Sequence, residues 1–239
     1  LLVVDAQAAD FSAWARDVPM VAVSELGMER YRFIDWSVHN AYSAAMVRPR
    51  EFDRDEALER ALRVFWEKGY AATSTDDLLS AMQIGRQSLY NAFGDKRRLY
   101  VEALERYQSD SVSGHVARLT APASAIAGIV ALLLGVIAGN AAERVLGCMG
   151  VNAICEFGTA DPELVELREK AGAVLLKQVV ARVREGQDAG EIDRAVDARE
   201  AASFILTTMQ GLQLGARAGA KLQALRATAE FAADRLRAH

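Results

Sequence analysis

This chain has little cysteine, little proline and no strong charge imbalance. Its 239 residues include two cysteines, Cys148 and Cys155, and four prolines. Two cysteines give no disulfide framework, and reduced thiols in a cytosolic protein are the default. The three histidines, His39, His115 and His239, stand far apart, and no pair has metal-ligand spacing. They read as surface residues, and no metal is expected. No Gly-rich phosphate loop sits at a strand–helix junction, and no Ser/His/Asp set is visible. The chain is therefore read as a non-enzyme without a cofactor. No run of alternating β-branched residues is long enough to argue for a sheet. No basic stretch leads into an apolar core near the start, so no signal peptide is expected.

What is present favours helix. Hydrophobic residues make up 51% of the chain, enough for a sizeable core. Alanine and leucine are abundant, and both are strong helix formers. The expected fold class is all-α. Net charge is −4, which looks wrong for a nucleic-acid binder, but the charge is unevenly placed. Between Ile84 and Tyr100, Arg86, Lys96, Arg97 and Arg98 face only Asp95, a local net of +3. Local charge at a contact surface matters more than the total.

That positive stretch belongs to residues 73–100, TSTDDLLSAMQIGRQSLYNAFGDKRRLY. Thr75 is expected to cap a first short helix, because its hydroxyl can accept from an orphan backbone N–H. Asp76 and Asp77 follow, where the helix dipole favours negative charge. Leu78, Leu79 and Met82 give an apolar side. A second short helix, Arg86-Gln87-Ser88-Leu89-Tyr90-Asn91, buries Leu89 and exposes polar groups. Asp95 caps the next helix. A short polar helix braced by another suits a DNA major groove.

These residues resemble the DNA-binding domain of the TetR/AcrR family of bacterial transcriptional regulators. The shared features are Gly69-Tyr70, Thr75, Leu89-Tyr90, Phe93, Lys96 and Leu99, at the family's spacing over about residues 50 to 105. Two positions depart. Gln83 replaces the usual turn glycine, which implies a positive φ on a non-Gly residue. Gly85 replaces the usual capping serine, a weaker cap. Arg86, Gln87, Ser88 and Asn91 are the expected base-facing residues. By resemblance, Thr75, Tyr90 and Lys96 grip phosphates, setting affinity more than sequence choice.

Residues 1–45 are expected to be a weakly ordered upstream extension, with Met46 as the natural start. The aromatic content of that segment argues against this, since disordered segments are poor in aromatics. Arg48 and Arg50 are equally readable as a DNA-contacting basic arm or a solvated terminus. Asp53 caps helix 1, with Leu58, Ala61, Leu62 and Phe65 as its apolar stripe. A fourth helix runs from about Lys96 to about Leu119. The uncharged stretch Ala123–Ala142 is long enough to span a bilayer. A buried core helix is the preferred reading, because the stretch has no aromatic anchors or positive flank.

Glu143–Phe157 resembles a helix in family members that respond to electrophiles and related small molecules. Cys148, Asn152, Cys155 and Glu156 are therefore the ligand or sensing candidates. Inert packing of Cys148 is the more common outcome for such a residue. Read as one helix, it places Cys148 and Cys155 two turns, about 10.5 Å, apart, beyond the ~7 Å reach of a disulfide. Asp161-Pro162 opens a long helix with Leu164, Leu167, Ala171, Val174, Gln178 and Ala181 on its apolar side. Asp197 opens another. Phe204, Gly211, Gly215 and Leu225 are the dimer-interface candidates, since the family pairs its last two helices across a two-fold axis.

The expected organisation is an extension (1–45), a three-helix helix-turn-helix DNA-binding domain (46–100) and a larger helical ligand-binding and dimerisation domain (101–239). The expected function is a cytoplasmic, dimeric, ligand-responsive repressor of a palindromic operator. Its partners would be double-stranded DNA, a small-molecule effector and a second copy, with no membrane. The alternative is a helical ligand-binding or interaction protein whose helix-turn-helix does not read DNA.

Overall fold

The computed structural model describes residues 52–137 and 140–238. Arg48, Arg50 and the expected extension lie outside them. Ten helices run through the described residues: α1 (Arg54–Lys68), α2 (Thr75–Met82), α3 (Arg86–Phe93), α4 (Lys96–Thr120), α5 (Ala125–Gly135), α6 (Ala141–Leu146), α7 (Met149–Phe157), α8 (Pro162–Asp188), α9 (Ala198–Arg217) and α10 (Leu222–Asp234). No strand occurs among the described residues; the one β-bridge there pairs Ile192 with Arg237.

Aspartate starts four of these helices. Asp53, Asp95, Asp161 and Asp197 each accept from backbone N–H groups of the first turn, satisfying donors that a helix start leaves orphaned. The α2 start differs from the sequence expectation. Ser74, not Thr75, is the cap: its Oγ accepts from Asp77 N at 3.0 Å, and the Asp77 carboxylate accepts from Ser74 N at 2.9 Å. This reciprocal box, together with Lys68, holds the Asp77 carboxyl well below its ordinary range; the Lys68 hydrogen bond is the largest cause.

Two apolar cores form. The first gathers Leu58, Leu62 and Phe65 of α1, Leu78 and Met82 of α2, Leu89 and Phe93 of α3, and Leu99, Tyr100, Ala103 and Leu104 of α4. It also takes in Met149 and Ala153 of α7 and Leu164 of α8. Fully burying a side chain such as Leu89 contributes about 1.5–3 kcal/mol. The second core is built by α5, α8, α9 and α10 with the end of α4.

Three helix readings are corrected by the backbone. The apolar stretch 123–142 is not one helix: α5 is 11 residues long, and Asn140 caps the separate α6. No helix among the described residues is long and apolar enough to cross a membrane. Residues 143–157 are not one helix either. Gly147, at φ 64°, ends α6, and Cys148 precedes α7 as its cap residue. Along α8, Leu164 is buried as expected, but farther on the buried residues are Leu175, Val179, Val183 and Gly186 in place of Val174, Gln178 and Ala181, and Val174 is 50% exposed. Gly219, at φ 84°, makes the turn after α9.

Polar ties hold the α4–α5 corner against α8. The Arg182 guanidinium donates to the carbonyls of Pro122, Ala123 and Ser124. The Glu191 carboxylate accepts from Ser124 Oγ at 2.6 Å and Ile126 N at 3.1 Å, and these bonds lower its pKa. Gly128 lets α5 approach closely, since a Cβ there would run into the Leu119 carbonyl.

Candidate DNA-reading face and ligand cavity

The α2–turn–α3 unit is fixed from below by Leu78, Met82, Leu89 and Phe93, all buried. Gln83 makes the turn in the left-handed region at φ 57°, ψ 38°, the conformation expected of it. It is the one non-Gly residue with positive φ among the described residues. Gly85 precedes α3 with no side-chain cap. With Leu89 held inward, α3 turns its polar side out. Tyr90 is 45% exposed, Gln87 and Asn91 are exposed, and Ser88 is half-buried. Gln87 Nε2 donates to Asn91 Oδ1 at 2.9 Å, an i,i+4 pair along the outer face. Thr75, the first residue of α2, is half-buried.

The positive patch is smaller than the sequence implies. Arg86 pairs with Asp76 at 2.8 Å, with both side chains mostly exposed; such a pair is weak and readily exchanged. Arg97 faces the other way, reaching Asp161 at 2.7 Å and Glu163 at 2.9 Å at the start of α8. Lys96 Nζ stands 4.3 Å from the Tyr70 ring centroid, a cation–π contact.

Behind this face, aromatic rings join α1, α4 and α7. Tyr70 lies 5.1 Å from Tyr100 and 5.5 Å from Phe157, and Phe65 lies 5.0 Å from Tyr100. The Glu156 carboxylate accepts from Tyr70 N at 3.0 Å and Ala71 N at 2.5 Å. Glu156 thus ties α7 to the loop after α1 and lines neither of the two cavities next described. Asn152 Nδ2 donates to the Leu146 carbonyl at 3.1 Å, and Cys155 is exposed.

Two adjoining cavities open between α4 and its neighbours. The larger, about 420 Å³, is walled in part by Trp66, His115, Arg118, Arg144 and Gln213. The smaller, about 140 Å³, is mostly apolar, with Cys148, Val151, Ile154, Leu206 and Met209 on its wall. Tyr107, Ser111, His115 and Gln213 line both. Burial, then the neighbouring Cys148, raises the Tyr107 pKa, so its phenol stays neutral. Burial, then the Arg118 charge, lowers His115 to about 4, so its imidazole is neutral at pH 7. The cavity residues Trp66, Arg118 and Gln213 were not singled out from sequence. They are separated by up to 147 positions, and no local pattern links them.

The comparisons decide the family. Residues 57–103 match the model for bacterial regulatory proteins of the tetR family, and residues 126–232 match a tetracyclin repressor-like C-terminal domain. The chain belongs to the TetR family of bacterial regulatory proteins. This TetR-family transcriptional regulator is 36% identical over 149 residues to the HTH-type regulator YezE of Bacillus subtilis, covering 62% of this chain and 77% of that one. It is 29% identical over 180 residues to the HTH-type transcriptional repressor ComR of Escherichia coli, covering 74% of this chain and 86% of that one. Among solved structures, a cysteine mutant of the TetR-family regulator CifR complexed with 26-bp double-strand operator DNA superposes with TM-score 0.65. It shares 33% identity and covers 78% of this chain and 98% of that one. The α2–turn–α3 unit, which lies within residues 57–103, is therefore the family's helix-turn-helix.

On the last two helices, the dimer candidates divide. Phe204 is 44% exposed and Gly211 has open space beside it. Leu225 is buried within its own chain and rests against Gly215, 3.2 Å from where a Cβ on that glycine would sit. Leu214 and Phe231, at 52% and 62% exposure, extend the uncovered apolar face.

Proposed function

We propose that this regulator represses transcription as a homodimer on a palindromic operator and releases it when a small molecule occupies the α4 cavities. The observation that carries this reading is the outer face of α3. Buried Leu89 and Phe93 lock the helix, while Gln87, Tyr90 and Asn91 stand outward. Arg86, Gln87, Ser88 and Asn91 read bases; Thr75, Tyr90 and Lys96 contact phosphates, with Arg48 and Arg50 as further phosphate contacts from the preceding arm. In this reading residues 46–100 are the DNA-binding domain and 101–239 the ligand-binding and dimerisation domain. The protein works in the cytoplasm and has no enzymatic activity.

Exposed Phe204, Gly211, Leu214 and Phe231 supply a self-complementary face for the dimer. Gly215 and Leu225 support it from behind by packing α10 on α9. A dimer would present two copies of α3, and entry into successive major grooves sets them about 34–36 Å apart. Effector binding acts by favouring a different spacing, which requires unequal affinity for the two states. Cys148, on the wall of the smaller cavity, is the sensing residue within reach of an effector. Asn152 and Glu156 relay its position to the Leu146 carbonyl and the Tyr70–Ala71 loop, and exposed Cys155 is the other thiol open to reagents.

Competition binding tests the reading. The purified chain should prefer a palindrome beside its own gene over random DNA, with affinity that falls steeply as salt rises. Equal affinity for both DNAs at every salt concentration would refute it.

A further inference from the structure

Gln213 is 7% exposed, and its amide makes no hydrogen bond among the described residues. The amide nitrogen and oxygen are not fully buried; they open onto the wall shared by the two cavities, where a bound molecule can pair with them. Across the larger cavity, the only hydrogen bond of Arg118 among the described residues is to His115 Nδ1 at 3.4 Å. A guanidinium only donates, so Nδ1 is the acceptor and the neutral imidazole carries its proton on Nε2. That Nε2–H makes no other hydrogen bond among the described residues. Arg118 has its own slot, because any side chain on Gly135 would collide with it.

The charges on this wall include carboxylates. Asp110 is held by Arg106 Nε at 3.0 Å, and the Glu143 carboxylate, which makes no ion pair among the described residues, lines the same cavity. Arg118 has no carboxylate partner among the described residues. The wall therefore offers the Arg118 guanidinium, the His115 imidazole donor and the Gln213 amide. Beside them lies a pocket of about 140 Å³ whose apolar wall includes Val151, Ile154, Leu206 and Met209, with Gln108 and Arg168 also on it.

We propose that the effector is a small amphipathic carboxylate, its charged head held by Arg118, His115 and Gln213 and its apolar body seated in the pocket beside Cys148. This rests on the reading of the cavities as the effector site. The head gains charge-assisted hydrogen bonds and accepts one from the Gln213 amide. The body displaces water from an apolar surface.

The test is calorimetric titration of the full chain with sodium octanoate and with octanamide, which keeps the body and removes the charge. Octanoate should bind at least about tenfold more tightly than octanamide, the usual scale for a charged hydrogen bond. Arg118→Gln should bring the two ligands to equal affinity. Gln213→Leu, which replaces the amide by an apolar group of similar size, should weaken octanoate binding and serves if Arg118→Gln does not fold. Equal binding of the two ligands by the wild-type chain, no binding of either, or full discrimination retained in both variants would overturn the proposal. Operator binding without ligand, measured on the same preparation, separates the two claims. If it persists while octanoate fails, the ligand class is wrong; if it is absent while octanoate binds, the repressor reading is wrong.

Discussion

Trp66 donates its indole N–H to the carbonyl of Gly147 at 3.0 Å. The donor belongs to the scaffold helix of the DNA-reading unit, and the acceptor ends α6. The same indole packs edge-on against Tyr107, 5.1 Å away, and forms part of the larger cavity wall. Trp66→Phe keeps the ring contact and removes the hydrogen bond. It should cost about 0.5–1.5 kcal/mol of stability, measured by denaturant unfolding with an unchanged m-value.

The Glu156 carboxylate is the second tie between these parts. Glu156→Ala should destabilise by about 1 kcal/mol, near the lower end for charged hydrogen bonds because the residue is exposed. Amide exchange at Tyr70 and Ala71 should quicken, and Glu156→Gln, which keeps one acceptor, should restore part of the protection.

Gln83 sits in a conformation that costs a side-chain-bearing residue about 1–2 kcal/mol. Glycine there removes the strain but adds chain entropy to the unfolded state. Gln83→Gly should therefore stabilise the chain by roughly 0.5–1 kcal/mol, seen as a rise in Tm. No rise would mean that the Gln83 side chain makes a compensating contact.

His115 sets a pH window. Its ordinary value of 6.5 falls to about 4 in the folded chain. Above pH 6.5 both states are neutral and nothing changes. Between about 6.5 and 4 the unfolded chain takes up a proton that the folded chain refuses, so stability falls as pH falls, levelling off below about 4. His115→Gln should flatten that part of the stability–pH curve relative to the wild type. The nearby carboxylates Asp110 and Glu143 remain in both proteins and cancel in the comparison.

The uncovered face of α9 and α10 makes its own prediction. Phe231→Glu places a charge where the proposed dimer buries an aromatic ring, and burying an unpaired charge is strongly unfavourable. Sedimentation should show the wild type as a dimer and the variant shifted to monomer, with helical content retained because Phe231 is 62% exposed in the single chain.

Much of this was legible because it is local. Aspartates at helix starts, the glycine after α1, the positive φ at Gln83 and the inward Leu89 all follow from residues within a turn of one another. The misplaced cap was legible too: Ser74 and Asp77 form the serine–acid spacing of a capping box, which the neighbouring Thr75 obscured. What composition could not show was where an apolar or helical stretch stops. Residues 123–142 have no charge to mark a boundary, and the Gly147 carbonyl at the next break meets a partner, Trp66, that lies 81 positions earlier. Arg97 looked like part of a DNA-facing patch because its partners, Asp161 and Glu163, come 64 and 66 residues later. The cavity depends on such distant pairings throughout.

Operator recognition rests on the outer face of α3. The most direct measurement is operator affinity of the wild type and of Arg86→Ala with Tyr90→Ala combined. Neither side chain contributes to the apolar core, so Tm should be nearly unchanged. The account predicts that the double variant loses its preference for the operator over random DNA. Wild-type operator affinity and preference in a folded double variant would contradict it.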